Sequence, residues 1–229
     1  MGKKFFVTGT NTGVGKTLVT AGLLAAARQQ GLRTIGLKPV AAGCELTEQG
    51  LRNEDAQALL EQTSLPLTYE QINPVALQAA IAPHIAAAQE NRRLSADRLA
   101  GFCRGTMMQS SDLLLVEGAG GWRVPLNERE SFADLVKILQ LPVLLVVGME
   151  LGCINHALLT AEAIRHDGLE LVGWVANRTE AEMACYRENL DSLQQRLPCP
   201  LLGEVPHLPQ ATAEQAAEYL NLDSLMSDQ

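Results

Sequence analysis

The chain has 229 residues and a formal net charge of −8 at neutral pH. This length fits one α/β domain over residues 1–229 with a single hydrophobic core. The acidic balance argues against a nucleic-acid partner, because nonspecific binding requires Lys and Arg to neutralise many phosphates. No apolar run reaches the length of a membrane span, so we expect a cytoplasmic protein with small-molecule partners. The five cysteines form no Cys-x-x-Cys pair, which argues against a disulfide framework or a zinc site.

Short apolar runs alternate along the chain with segments of helical character. We predict strands over 5–8, 34–37, 113–116, 143–147 and 171–175, and helices over 16–30, 54–62, 95–109, 132–140, 155–166, 181–196 and 213–220. Near-continuous apolar runs are typical of strands that are covered on both faces. We therefore predict a doubly wound α/β fold, with a mostly parallel sheet and helices on both faces. Ligands of such sheets bind beyond the carboxyl ends of the strands.

The first strand is followed by a glycine-rich turn, in which residues 9–17 read Gly-Thr-Asn-Thr-Gly-Val-Gly-Lys-Thr. Strand, glycine turn and helix in this order predict a phosphate loop, and hence a P-loop NTPase-like fold. Backbone N–H groups would surround phosphate oxygens, Lys16 would add a cation, and Thr17 would offer a hydroxyl to Mg²⁺. The match is a variant, because Thr10 stands where the strict pattern has glycine and Gly9 comes one place earlier. A turn that binds nothing would have no need of Gly15, Lys16 and Thr17 together.

Charged residues follow the second and third predicted strands. Lys38 precedes Pro39, which cannot continue a strand ladder, and we expect Lys38 to point towards the phosphate loop and stabilise charge on a transferring phosphate. A solvated lysine at a strand end is the alternative. Glu117 is interpreted as a Mg²⁺ ligand, although it could instead cap the next element. Asp55, in the first turn of a predicted helix, remains open between a helix-stabilising acid and a metal ligand.

The fourth and fifth strand ends are less informative. Asn155 could cap the next helix, or residues 152–155 could present N–H groups to an anion, and the pattern slightly favours the cap. Asn177 could touch a nucleobase or simply make a turn, and residues 206–208 are equally open. Cys153 is interpreted as a small core residue rather than a nucleophile.

Taken together, these motifs closely resemble the dethiobiotin synthetases. The likeness extends over nearly the whole chain, through residues 9–17, 38–40, 50–55, 73–74, 83–84, 117–121, 152–156, 173–177 and 203–206. It implies an ATP- and Mg²⁺-dependent ligase of biotin synthesis that converts 7,8-diaminononanoate and CO₂, supplied as bicarbonate, into a cyclic urea. In that family a substrate amine is carbamylated by CO₂, ATP phosphorylates the carbamate, and the second amine closes the ring. The family works as a homodimer with its substrate at the subunit interface.

The resemblance also implies roles for individual residues. Lys16 and Lys38 would hold the carbamate and the γ-phosphate, with Thr12 near the carbamate. Mg²⁺ would be bound by Thr17, Asp55 and Glu117. The nucleotide would contact Gly13, Val14, Gly15, Lys16, Thr17, Asp55, Glu117, Gly118, Ala119, Gly120, Asn177, Arg178, Pro206, His207 and Leu208. The substrate would contact Ala42, and its tail carboxylate would be received by Gly152, Cys153 and Asn155 of the neighbouring chain.

Some positions depart from the family pattern. Ala42 stands where the family often has a serine that contacts substrate, and Gly13 stands where some members have glutamate. The loss of one hydrogen bond weakens the binding free energy by about 1 kcal/mol, so these departures bear on substrate affinity rather than on the class of reaction. Near Ala213 the chain lacks a polar residue that some members place against the nucleotide, which bears on base selectivity.

Two other functions fit the phosphate loop. Switch ATPases of the partition and cell-division type carry a signature lysine at the position of Asn11, and they act on DNA or membrane surfaces, whereas residues 213–229 contain acids and no Lys or Arg. An amide-forming ligase of a related cofactor pathway would also phosphorylate a carboxylate. Its glutamine-dependent forms need a further amidotransferase domain, for which this length leaves no room.

Overall fold

Ten strands and ten helices can be assigned within residues 2–209 and 211–227, the part of the chain that the computed structural model describes. The domain expected over residues 1–229 therefore includes positions outside the described residues. The strands are β1 (Lys3–Gly9), β2 (Thr34–Leu37), β3 (Val40–Ala42), β4 (Glu45–Thr47), β5 (Gly50–Arg52), β6 (Val75–Leu77), β7 (Leu113–Gly121), β8 (Val143–Gly148), β9 (Leu171–Asn177) and β10 (Leu201–Val205).

A parallel six-stranded sheet with the order β10-β9-β8-β1-β7-β2 forms the centre. Small two-stranded pairs, β3 with β6 and β4 with β5, lie outside it. The helices are α1 (Lys16–Gln29), α2 (Glu54–Glu61), α3 (Tyr69–Ile72), α4 (Pro83–Gln89), α5 (Ala96–Met107), α6 (Phe132–Leu139), α7 (Cys153–His166), α8 (Tyr186–Arg196), α9 (Ala213–Ala217) and α10 (Leu222–Met226). Among the described residues, none of these helices has the length and apolar character needed to span a membrane.

The central strands are buried on both faces, as their apolar runs predict. All six residues of β8 and the first six of β7 are buried. Because successive side chains of a strand point to opposite faces, this pattern requires a covering layer on each face. Helix α1 packs with α2 and α9 and contacts β2 and β7, whereas α7 packs with α8 and contacts β8 and β9. The predicted doubly wound α/β fold is confirmed.

Among the element boundaries that differ from the sequence prediction are the end of β7 and the starts of α7 and α8. Strand β7 continues beyond residue 116 to Gly121, which pairs with Gly9, so Glu117 lies inside a strand and does not cap the next element. Backbone pairing needs no side chain, which is why a glycine run that is typical of a turn can extend a strand.

The other two boundaries concern helices. Helix α7 begins at Cys153 after the left-handed Gly152, so Asn155 lies inside the helix and the interpretation of Asn155 as its N-cap is wrong. Helix α8 begins at Tyr186 rather than near residue 181, because Cys185 has a φ of 52° that interrupts a right-handed helix.

An ion pair joins the starts of β2 and β7. The Asp112 carboxylate accepts hydrogen bonds from the Arg33 backbone N–H (2.8 Å) and from its guanidinium (3.0 and 3.1 Å). These bonds lower the pKa of Asp112 from its ordinary 3.8 to about 2. A carboxyl group whose pKa is lower in the folded chain stabilises the fold above its unfolded pKa, and this contribution is lost as the pH falls through its folded pKa.

We therefore predict that Asp112→Asn lowers the melting temperature at neutral pH. The difference from wild type should narrow as the pH falls from about 4 to about 2, because the wild-type carboxylate is protonated over this range. Thermal unfolding followed by circular dichroism at a series of pH values checks this. A difference that stays constant across the range would show that the ionised carboxylate is not the stabilising form.

Candidate active site

The phosphate loop connects β1 to α1 and is fixed at both ends. The backbone N–H of Thr10 donates to Val146 O on the neighbouring β8 (3.0 Å), and Gly15 forms the N-cap of α1. Gly13 and Gly15 have φ angles of 77° and 84°, a region that side chains with a Cβ atom rarely adopt. The glycines of the motif therefore allow the chain to turn tightly into the helix.

Lys16 begins α1 and turns back over the loop. It is buried, and its Nζ atom donates to Asn11 O (3.0 Å). Burial and the neighbouring Lys38 ammonium lower the pKa of Lys16 to about 8. An ammonium that has lost much of its hydration gains more from a bound anion than a solvated lysine would.

Asn177, the last residue of β9, holds the loop from the other side. Its buried side chain donates from Nδ2 to Val14 O (2.9 Å), and a Cβ atom added to Gly15 would lie 2.2 Å from that nitrogen. The Oδ1 atom of Asn177 is buried without a hydrogen-bond partner. Asn177 thus ends a strand rather than making a turn, and it offers one acceptor to a ligand.

Strand register brings Lys38 beside Glu117. Leu37, the last residue of β2, pairs with Val116. Lys38 and Glu117, which follow them along the chain, therefore lie at the same level of the sheet. The Nζ atom of Lys38 lies 2.5 Å from Glu117 Oε1, 2.9 Å from Asp55 Oδ2 and 3.3 Å from Gly118 O. Lys38 is therefore a buried cation between two carboxylates and not a solvated lysine.

The charges of this cluster stabilise one another. Burial alone would lower the pKa of Lys38, but Glu117 and Asp55 raise it above its ordinary value. Burial alone would raise the pKa of Asp55, but the ammonium of Lys38, with smaller contributions from Thr17 and Lys16, brings it below its ordinary value. Lys38 and Asp55 are thus both charged at neutral pH.

The same carboxylates, with Thr17, form a donor set that fits Mg²⁺. The Thr17 hydroxyl donates to Glu117 Oε1 (2.8 Å), while Glu117 Oε2 is buried without a partner. Hydroxyl and carboxylate oxygens are the ligands that Mg²⁺ prefers, and it retains other positions for water or phosphate. Within residues 2–209 and 211–227 no group of three or more His, Cys, Asp or Glu side chains could hold a metal ion.

Lys16, Thr17, Lys38 and Asp55 line one cavity of about 650 Å³, whereas Val14, Glu117, Gly118 and Asn177 are not among its lining residues. One side is polar and carries the phosphate loop with the Lys38 cluster, and the other side is mostly apolar. The lining residues are Thr12, Gly13, Gly15, Lys16, Thr17, Lys38, Ala41, Ala42, Asn53, Asp55, Ala80, Ile81, Ala82, Pro83, Ala119, Gly120 and Val124. Thr12, Ala42, Asp55, Ala119 and Gly120, expected from the sequence at the site, thus lie with the two lysines.

Other predicted site residues lie outside this cavity. Arg178, after β9, places its guanidinium over the Tyr186 ring (4.8 Å) and donates from its backbone N–H to Val205 O. Pro206, His207 and Leu208 follow β10, which pairs with β9, so they lie near Asn177.

Gly152, Cys153 and Asn155 are also outside the cavity, at the start of α7. The Cys153 side chain is buried, as expected of a core residue, and its N–H already donates to Glu150 O. Leu151, immediately before them, is 97% exposed.

Some cavity residues have no role in the sequence prediction. Asn53 caps α2 by accepting the Ala56 N–H (3.3 Å), a role that an Asn before a helical segment could have indicated. Residues 80–83 join β6 to α4 and form part of the apolar wall. Their only sequence signal is Pro83-His84, a pair that by itself indicates no chemical role.

Comparison with known proteins places this site in a family. A family model described as an AAA domain matches residues 3–215. An ATP-dependent dethiobiotin synthetase of Cellvibrio japonicus is 66% identical, over 98% of this chain and 98% of that protein. The ATP-dependent dethiobiotin synthetase of Pseudomonas aeruginosa is 58% identical over 96% and 97%. That of Vibrio parahaemolyticus is 46% identical over 97% of each.

Solved structures with little sequence identity share the fold. The cell division ATPase MinD of Pyrococcus furiosus has a TM-score of 0.60 at 18% identity, covering 99% of this chain and 98% of that chain. The signal recognition particle receptor FtsY of Elizabethkingia anophelis has a TM-score of 0.52 at 14% identity, and the match spans 100% of this chain and 64% of that chain. At such identities the likeness shows the P-loop NTPase fold alone.

We predict that Gly15→Ala weakens ATP binding at least about tenfold, because the added methyl group displaces Asn177 and strains the loop. Gly31→Ala is the matched control. Gly31 follows α1, has a similar φ of 77°, and a Cβ atom there would meet nothing within 4 Å. Titration of a fluorescent ATP analogue should show weakened binding for Gly15→Ala only. If both variants bind the ATP analogue equally well, the conformation of the phosphate loop at Gly15 does not control nucleotide binding.

Proposed function

The chain belongs to the ATP-dependent dethiobiotin synthetases and is a ligase of biotin synthesis, and we propose that it closes the cyclic urea of dethiobiotin from 7,8-diaminononanoate and CO₂ or bicarbonate. ATP is the proposed co-substrate and Mg²⁺ the proposed metal. The observation that carries this proposal is the position of Lys38, a buried cation held between Asp55 and Glu117 at the edge of the phosphate-loop cavity.

The proposed reaction has three steps. One substrate amine attacks CO₂ and loses a proton, which gives a carbamate. A carbamate oxygen then attacks the γ-phosphorus of ATP, forming the mixed anhydride and releasing ADP. The second amine attacks the carbamoyl carbon and loses a proton, the bond between that carbon and the phosphate oxygen breaks, and inorganic phosphate leaves with the electron pair as the five-membered urea ring closes.

Lys16 and Lys38 are the proposed catalytic cations. Both ammonium groups lie on the polar side of the cavity. A carbamate bound between them would face the γ-phosphate, and the two cations would offset the repulsion between these two anions. Thr12 lines the same side and can donate a hydroxyl hydrogen bond to the carbamate. The loop N–H groups of Gly13 to Thr17 would bind the phosphates.

The apolar wall suits the methylene chain of the diamine. Ala41, Ala42, Ile81 and Ala82 line it and offer surface that gains by losing contact with water. Ala42 has no hydroxyl, so binding here depends on shape and apolar contact more than on a hydrogen bond.

Thr17, Asp55 and Glu117 are the proposed Mg²⁺ ligands, supported by the unpaired Oε2 atom of Glu117. When bound, Mg²⁺ would neutralise charge on the phosphate oxygens.

The nucleotide base is proposed to lie at the ends of β9 and β10. Asn177 supports this through its unpaired Oδ1 atom, which could accept a hydrogen bond from an exocyclic amine. Arg178, Pro206, His207 and Leu208 surround the same strand ends, and Gly118 to Gly120 would contact the phosphate side.

We further propose a cytoplasmic homodimer. Gly152, Cys153 and Asn155 lie outside the cavity of their own chain, so they can contact substrate only if a second copy brings them to its cavity. The fully exposed Leu151 beside them is suited to burial at such an interface.

The proposed function predicts that ADP release requires diaminononanoate, bicarbonate and Mg²⁺ together, because the phosphoryl acceptor forms only from the first two. A coupled ADP assay with single omissions, followed by mass spectrometry of the product, measures this. Fast ADP release without the diamine would instead indicate a switch ATPase.

Lys38→Met should reduce turnover roughly 100-fold, because the developing phosphoryl charge loses a preorganised cation. Lys137→Met is the control, since Lys137 forms a surface ion pair with Asp134 on α6. Steady-state rates at saturating substrates, with nucleotide binding measured in parallel, separate the two variants. Near-normal turnover of folded Lys38→Met would remove Lys38 from the catalytic residues.

A further inference from the structure

The Asn73-Pro74 motif has no role in the cavity, although Asn73 is buried. It ends α3, and the same short helix begins with the buried Tyr69. Neither side chain is among those that line the cavity, so their polar atoms are directed at other parts of the protein. Apart from a hydrogen bond from Asn73 Nδ2 to Val75 O (3.3 Å), their hydrogen-bond partners outside α3 are the backbones of the two segments that carry Lys38 and Asp55.

The backbone of Lys38 is held on both sides by the end of α3. Its N–H donates to Ile72 O (2.9 Å), and its carbonyl oxygen accepts a hydrogen bond from Asn73 Nδ2 (2.7 Å). Lys38 lies between β2 and β3, where Pro39 prevents regular strand pairing. These two bonds therefore fix the point from which the lysine side chain extends.

The start of α2 is held by Tyr69. The Tyr69 hydroxyl accepts a hydrogen bond from the backbone N–H of Asn53 (2.8 Å) and donates one to Asn73 Oδ1 (3.1 Å). Asn53 is the N-cap of α2, and Asp55 lies two residues further on. A continuous line of hydrogen bonds thus runs from the start of α2, through Tyr69 and Asn73, to the carbonyl oxygen of Lys38.

We propose that Tyr69 and Asn73 are positioning residues, which set the distance between Lys38 and Asp55 by holding both backbones through this line of hydrogen bonds. The inference rests on the proposed function, because it matters only if Lys38 and Asp55 act on the phosphate and its Mg²⁺. Displacements of about 1 Å at a reacting centre can cost two orders of magnitude in rate, so such a support has kinetic consequences.

The surroundings of Tyr69 keep it in this arrangement. The Arg52 guanidinium lies 4.2 Å from the centre of its ring and forms an ion pair with Glu70 (3.2 Å). Burial raises the pKa of Tyr69 above its ordinary value, so the hydroxyl keeps the proton that it donates to Asn73.

Tyr69→Phe tests the proposal, because it keeps the ring and removes the hydroxyl. We expect kcat to fall about tenfold and the Mg²⁺ concentration for half-maximal rate to rise several-fold, with KM for diaminononanoate within about twofold of wild type. Asn73→Asp is the second variant. It keeps the acceptor for Tyr69 but loses the donor to Lys38 O, together with the longer bond to Val75 O, and the same kinetic pattern is expected.

Thr106→Val is the matched control. Its buried hydroxyl donates to Gln71 O of the same helix α3 (3.4 Å), and within the described part of the chain it makes no hydrogen bond to the segments that carry Lys38 or Asp55. We expect a lower melting temperature with unchanged kcat and Mg²⁺ dependence. If Tyr69→Phe and Asn73→Asp match this control, α3 is structural only and the proposal is overturned.

A double-variant cycle with Asp55→Asn identifies the route of action. If Tyr69 acts by placing Asp55, Tyr69→Phe should change kcat less than about twofold in the Asp55→Asn background. A further tenfold loss there would overturn the proposed route. If the wild-type protein forms no dethiobiotin, the proposed function itself fails. If wild type is active and the variants match Thr106→Val, the positioning inference alone fails.

Discussion

The buried carboxylate of Glu117 is the constraint on which the rest of the site depends. It lies inside a parallel sheet with no exposed surface, and the Lys38 ammonium is paired with it. Removing one partner of such a pair leaves an uncompensated charge, which costs about 3–5 kcal/mol. The sequence of β7 can therefore contain Glu117 only while β2 lies beside it and is followed directly by Lys38. The strand order thus brings the two charges together, and their pairing in turn stabilises that strand order.

The sheet order explains how the loop becomes a rigid binding surface. Strand β1 lies between β7 and β8, so the loop that leaves it contacts neighbours on both sides. The Thr10 N–H is bound to β8, Gly121 pairs with Gly9, and Asn177 reaches Val14 from β9. A phosphate that binds here meets N–H groups already held in place by the sheet, which reduces the reorganisation cost of binding.

The sequence predicts the parts of the molecule that depend on local pattern. Buried parallel strands need long apolar runs, and the motif of residues 9–17 needs its glycines, so both can be recognised from the residues alone. The carboxyl ends of parallel strands lie at one edge of the sheet, and this rule predicts that Lys38 and Glu117 lie together. The line from Asn53 through Tyr69 and Asn73 to Lys38 has no such signal, because it joins segments distant along the chain and has no periodicity. Residues 80–83 also lack a periodic pattern, so the sequence assigns them no role.

The charge balance of the cluster explains why a lysine, a threonine and two acids occur together. Lys38 is paired with Asp55 and Glu117, whereas the Lys16 ammonium donates to the backbone oxygen of Asn11. The cluster therefore has little net charge, but its cations have little water to lose when an anion arrives. The proposed Mg²⁺ and the polyphosphate carry charges of opposite sign, so binding both together would largely preserve this balance. In the proposed reaction, Lys38 would exchange part of its pairing with these carboxylates for the phosphoryl group that is being transferred.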